Sequence, residues 1–169
     1  MGKVGGLRHY SSLIFYINFP NGMEENLNTG PQCACDVWLK LMGDRWSLLV
    51  VRDIFKGKTT YTEFLESREK IATNILNDRL KSLRSKGIID FHYDPNNRRI
   101  KRYFLTNKGI DLYPIIYAVQ KWALKHEEFP LTEIGEGWKA FADSESEKTV
   151  TQHFQEEYKT HKKKVFGLK

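Results

Sequence analysis

"TNILNDRLKSLRSKGII", residues 73–89, is the stretch on which the fold turns. Leu76, Leu80 and Leu83 return every three or four residues, the spacing of one face of an α-helix. Asn74, Asn77, Asp78 and Lys81 fall off that stripe. Gly87 stands where the pattern ends, and glycine readily takes the left-handed conformation that closes a helix. The stretch predicts a helix seated by leucines, with amides and a lysine turned outward. Ordinary surface helices share this pattern, so the purpose of the outward face depends on its neighbours.

Upstream, "DVWLKLMG" (36–43) reads as a short amphipathic helix with Asp36 as N-cap and Gly43 at its end. "DRWSLLVVRDIF" (44–55) follows, with Trp46, Leu49, Val50 and Ile54 spaced for a buried face. Past "KGK", Thr60 and Glu63 form a T-x-x-E capping box, and Phe64 and Leu65 give the helix it opens an inward side. Downstream of Gly87 the period drops to two. "IIDFHY" (88–93) and "RIKRYFL" (99–105) read as strands joined at "DPNNR", a hairpin connection. Tyr93 and Tyr103 are expected to pair on one face of that hairpin. Lys101 and Arg102 point opposite ways, so at most one serves a bound partner. Thr106 then caps a long helix, "NKGIDLYPIIYAVQKWALKH" (107–126), which Pro114 is expected to kink.

The fold class is therefore mainly α with a small β-hairpin wing, a winged helix-turn-helix. In that arrangement the leucines seat a recognition helix whose polar side enters the major groove of DNA. Charge agrees. The 169-residue chain carries 27 Lys and Arg against 21 Asp and Glu, a net +6. Residues 71–108 hold nine of the bases and only three acids, so this one segment accounts for the whole excess. Localised positive charge suits a nucleic-acid partner.

Other functions find no footing. The sequence has no Gly-rich phosphate loop, no nucleophile motif and no helical His pair, so no catalytic residue is expected and no cofactor. Cys33 and Cys35 lack two further ligands at telling spacing, so no metal site is expected. No apolar run reaches the ~18 residues of a membrane span, and "LIFYINF" (13–19) is not followed by a small-residue cleavage site. The expected location is the cytoplasm. Residues 1–31 read as a tail, with Met23 an alternative start.

Cys33, "LKLMGDRW" (39–46), "LLVVRDI" (48–54), "YTEF" (61–64), the stretch 71–89, "YFLTNKG" (103–109) and "LYPII" through to Trp122 occur in an order that resembles the HxlR-type family of transcription regulators. That family shares its architecture with MarR-type regulators. The resemblance covers residues 33–126 and implies a homodimer that binds a pseudo-palindromic operator on double-stranded DNA, commonly as a repressor. It implies that the first helix and the long last helix form the dimer interface, here through Trp38, Leu41, Ile116, Val119 and Trp122. Carried over residue by residue, it puts Thr73, Asn74, Asn77 and Lys81 on the DNA-facing side. Arg98 and Arg99 stand at the wing, and Lys58 is a further phosphate candidate. Cys33 matches a position where some members sense oxidants; the other reading is a small apolar residue near the dimer interface. Any inducer, small molecule or oxidant, is left unnamed.

Two departures stand out. The wing "DPNNRR" is not the family's Pro-rich loop, and the chain runs more than 40 residues past His126. The division expected is a tail (1–31), a winged helix-turn-helix domain (32–126) and a helical extension with a basic end (127–169). In the extension, "SESE" (144–147) offers a capping box, and Val150, Phe154 and Tyr158 follow on one face. Lys162 to Lys164 are expected as the basic end. Two alternative functions remain open: a winged-helix module for protein–protein interaction, and a thiol-based redox switch through Cys33.

Overall fold

The computed structural model describes residues 32–168. The tail reading of residues 1–31 and the start at Met23 lie outside the described residues. In chain order the elements are α1 (Ala34–Met42), α2 (Arg45–Phe55), α3 (Tyr61–Leu65), α4 (Thr73–Ser85), β1 (Ile89–Tyr93), β2 (Lys101–Leu105), α5 (Asn107–Ile110), α6 (Tyr113–His126), α7 (Glu133–Ser144) and α8 (Glu147–Phe166).

Local chemistry sets the boundaries that aim α4. The Asp44 carboxylate accepts the Ser47 N–H at 2.9 Å and so starts α2. The box at α3 is complete: Thr60 Oγ1 accepts the Glu63 N–H, and Glu63 Oε2 accepts the N–H groups of Thr59 and Thr60, both at 2.7 Å. Gly87 sits at φ +68°, and Ile88 N–H reaches back to Leu83 O at 2.9 Å, the 6→1 bond of a Schellman stop. Leu76, Leu80 and Leu83 are buried as their spacing predicts. They join Val51, Ile54, Phe64, Ile88, Ile89, Leu105 and Ile110 in one core.

The hairpin is antiparallel, with Ile89 opposite Leu105, Phe91 opposite Tyr103 and Tyr93 opposite Lys101. Tyr103 thus packs on Phe91 (ring centroids 5.7 Å), and the expected Tyr93–Tyr103 pair is out of register by two residues. The connection is responsible: Asp94 Oδ1 accepts from the N–H groups of Asn96 and Asn97, and Asp94 N–H donates to Ile100 O at 2.9 Å. Tyr103 N–H also donates to Thr59 O, which ties the hairpin to the α2–α3 connection.

Four helix expectations need correction. Asp36 does not cap α1; it lies in the first turn and pairs with Lys40 at 2.6 Å. The long C-terminal helix is two, α5 and α6, separated at Asp111 and Leu112. Pro114 lies in the first turn of α6, where its missing N–H costs nothing, so it starts a helix rather than kinking one. α8 is capped by Ser146, whose Oγ accepts the Thr149 N–H at 3.1 Å, and not by Ser144.

The residues after His126 belong to the same compact unit that begins at Ala34. Val150, Phe154 and Tyr158 face inward as expected. Tyr158 Oη accepts the Leu105 N–H at 2.8 Å, on the side of β2 that β1 does not pair. α7 was not foreseen. Its Trp138 donates from Nε1 to Tyr113 Oη at 3.0 Å, and Ala142 joins Tyr113, Tyr117 and Val150 in a second apolar cluster.

Candidate nucleic-acid interface

The polar side of α4 is assembled from its N-terminus upward. Ala72 occupies the N-cap and supplies no side-chain acceptor, so the first-turn N–H groups have no side-chain cap. Tyr61 Oη donates to Thr73 O at 2.8 Å and thereby fixes the entry into the helix from α3. Thr73, Asn74, Asn77 and Lys81 are all exposed on one face. Among the described residues their side chains have no hydrogen-bond or ion-pair partner.

The neighbouring cations are largely spoken for. Arg79 pairs with Asp44 at 3.1 Å across to the start of α2. Burial alone would raise the Asp44 carboxyl, but its bonds from Ser47 and Arg79 hold it below its ordinary pKa. Arg84 pairs with Asp90 at 3.0 Å, and Arg102 with Asp94 at 2.6 Å. Lys86 and Lys108 donate to the main-chain oxygens of Leu41 and Lys86 at 2.7 and 2.9 Å. Lys101 lies over the Phe91 ring at 4.4 Å, on the face opposite Arg102. Of the nine bases in residues 71–108, Lys81, Arg98 and Arg99 are left exposed with no side-chain partner among the described residues. These are the three that the sequence singled out there.

Lys58 differs from expectation. Its Nζ donates to Ser67 Oγ at 2.6 Å and lies 3.4 Å from Asp53, so it is turned inward. The same Asp53 accepts from Ser67 and Arg52, and Arg52 makes a two-pronged bond to Glu69 at 2.6 and 3.0 Å. The Arg52 guanidinium holds the Glu69 carboxyl down to about 2. This network joins α2 to the turn before α4, where Lys70 adopts φ +52°. Its residues carry no sequence signature, because charges on separate elements meet only once the chain is folded.

The apolar residues expected at the dimer interface divide. Ile116 is buried in the chain's own core, and Trp38 and Leu41 pack against that core. Val119 and Trp122 remain 49% and 62% exposed. Periodicity marks all five alike, because it cannot separate a helix's inward face from a second apolar face. Cys33 and Cys35 are free and exposed. Among the described residues no group of three His, Cys, Asp or Glu gathers as metal ligands, and no helix is long and apolar enough to cross a membrane.

Comparison with known proteins agrees with this geometry. An uncharacterized HTH-type transcriptional regulator of Synechocystis sp. is 31% identical over 93 residues, which cover 55% of this chain and 69% of the relative. The crystal structure of PA1607, a candidate transcription factor, superposes with TM-score 0.54 at 34% identity over 60% of this chain and 70% of that one. A MarR-family regulator from Porphyromonas gingivalis matches at TM-score 0.50 and 24% identity over 58% of this chain and 96% of its own, a likeness of fold alone. The profile of the HxlR-like helix-turn-helix family matches residues 41–140. The chain belongs to the HxlR-like helix-turn-helix family, and it is a DNA-binding transcription regulator rather than an enzyme.

Proposed function

We propose that the protein is a sequence-specific repressor that binds a pseudo-palindromic operator on double-stranded DNA as a homodimer. One observation carries the reading: Thr73, Asn74, Asn77 and Lys81 stand exposed and unpartnered among the described residues, while six of the nine surrounding cations are used inside the fold. A free Asn amide can pair two-pronged with adenine, at about 1–3 kcal/mol of discrimination each. The uncapped N-terminus of α4 suits a phosphate, which positions the helix without reading sequence. Arg98 and Arg99, on the hairpin connection, reach phosphate or the adjacent minor groove.

The homodimer rests on exposed apolar surface. Val119 and Trp122 lie three residues apart on α6, Val37 and Leu39 are exposed on α1, and Ile134 on α7. Large apolar side chains left in water on a small protein favour association with a second copy. Two copies give two recognition helices, hence a dyad in the DNA. Repression follows if that dyad overlaps a promoter.

Footprinting on DNA upstream of the gene tests the proposal. Protection of a dyad supports it. Only weak binding, erased by physiological salt on every sequence, favours the protein–protein interaction module. A thiol response at Cys33 is a second reading, favoured by the exposure of that sulfur. Comparing Cys33→Ser with the parent under oxidant tests it, and identical responses would dismiss it.

A further inference from the structure

The C-terminal helix carries a cation that the DNA-binding surface does not use. Lys162, expected in an exposed basic end, is only 6% exposed. Its Nζ lies 5.3 Å from the centroid of the Phe104 ring in β2. No carboxylate, hydroxyl or carbonyl pairs with it among the described residues. Lys163 and Lys164 need no special account, since bases in the last turn of a helix offset its dipole and both are exposed. Lys162 does need one: its side chain is largely buried with no carboxylate beside it, and the face of the Phe104 ring is the contact its ammonium makes. Burial pushes its ammonium below the ordinary lysine pKa.

Beside it lies a cleft of about 300 Å³ between α5 and α8, at the lower end of the ~300–1,000 Å³ typical of small-molecule sites. Lys162 and Lys163 line it with Asn107, and Ile110 and Leu168 give it apolar walls. Lys159, also in the lining, is already paired with Glu156 at 2.7 Å. No acidic side chain lines the cleft. We propose that this cleft is a binding site for a compact organic anion, one negative group on an apolar body, with Lys162 as its counter-ion. The charged group sits at Lys162 and Lys163, Asn107 offers an amide, and the apolar body lies against Ile110 and Leu168. Most of the site comes from α8 and the residues after it, beyond the 41–140 segment that the family shares.

The test is thermal unfolding and calorimetric titration of the full chain with hexanoate. Hexanol serves as the uncharged probe, and inorganic phosphate as the anion without an apolar body. Hexanoate is expected to raise Tm by about 3–6 °C at roughly ten times its Kd, with hexanol inert and phosphate much weaker. Lys162→Met abolishes the effect, and Lys164→Met, outside the cleft, keeps it. Leu168→Asp, at an incompletely buried position near the C-terminal end of the chain, also abolishes it and decides the matter if Lys162→Met fails to fold. The proposal is overturned by no shift with hexanoate at tens of millimolar, or by equal shifts with hexanoate and either control probe. A full response in either Lys162→Met or Leu168→Asp overturns it as well.

Discussion

Replacing Tyr158 by Phe removes one oxygen and leaves the ring. That oxygen accepts the Leu105 N–H at 2.8 Å, and Leu105 is fully buried. The ring packs edge-on against Phe55 at 5.1 Å and stays, so no cavity opens. What remains is a buried N–H on the side of β2 that faces away from β1, with nothing to accept it, which costs about 1–3 kcal/mol. For a chain of this size that lowers Tm by about 2–12 °C. Urea unfolding followed by tryptophan fluorescence should show a lower midpoint at an unchanged slope, since the area exposed on unfolding is the same. Tyr158→Ala also removes the ring and should cost about 3–5 kcal/mol from the lost packing alone. If Tyr158→Phe stays within about 0.5 kcal/mol of the parent, the range of inconsequential surface changes, then α8 is not part of the cooperative core and the reasoning fails.

Three further outcomes are expected. Asn74→Ala or Asn77→Ala should each cost about 1–3 kcal/mol at the operator and relax specificity, whereas Arg98→Ala should weaken all sequences alike and lower the salt slope by about 1; equal losses on every duplex would refute base reading by α4. Burial pushes the Tyr158 hydroxyl up to about 12 and also raises those of Tyr113 and Tyr103, so stability should hold below pH ~10, where unfolded tyrosines ionise, and fall as pH rises toward 12; a flat urea midpoint across that range would contradict it. Arg52 holds Glu69 down to about 2, so that pair's contribution is full above pH ~4.5 and lost as pH falls through about 2, a loss that Glu69→Gln should lessen.

What could be read from the residues, and what could not, divides along a physical line. The leucine stripe of α4, the Thr60–Glu63 box, the Gly87 stop and the hairpin are local patterns, and each appears where its spacing predicts. The five helices and strands from α2 to β2 thus follow from periods and caps, whereas α5 was read as the start of one long helix. α7 was illegible because Gly135 and Gly137 interrupt its pattern, and its hold on the fold is tertiary, through Trp138 and Tyr113. Pro114 is compatible with both a kink and a first turn, and only the break at Asp111 and Leu112 decides between them. In the candidate interface, exposure of Asn74, Asn77, Lys81, Arg98 and Arg99 follows from their places off the apolar stripe or in a polar turn. Lys58 and Lys162 could not be placed, because a lysine reads as a surface charge until the element packed over it is known.

The central claim, that α4 reads base edges, is tested most directly by a ratio of affinities. A dyad recovered by selection and a scrambled duplex of equal length are titrated at physiological salt with the parent and with the Asn74→Ala/Asn77→Ala double variant. The account predicts a parent ratio of about 10³ or more that collapses in the variant, while affinity for the scrambled duplex changes little. A ratio that survives in the variant, or a parent that binds both duplexes equally, would contradict it.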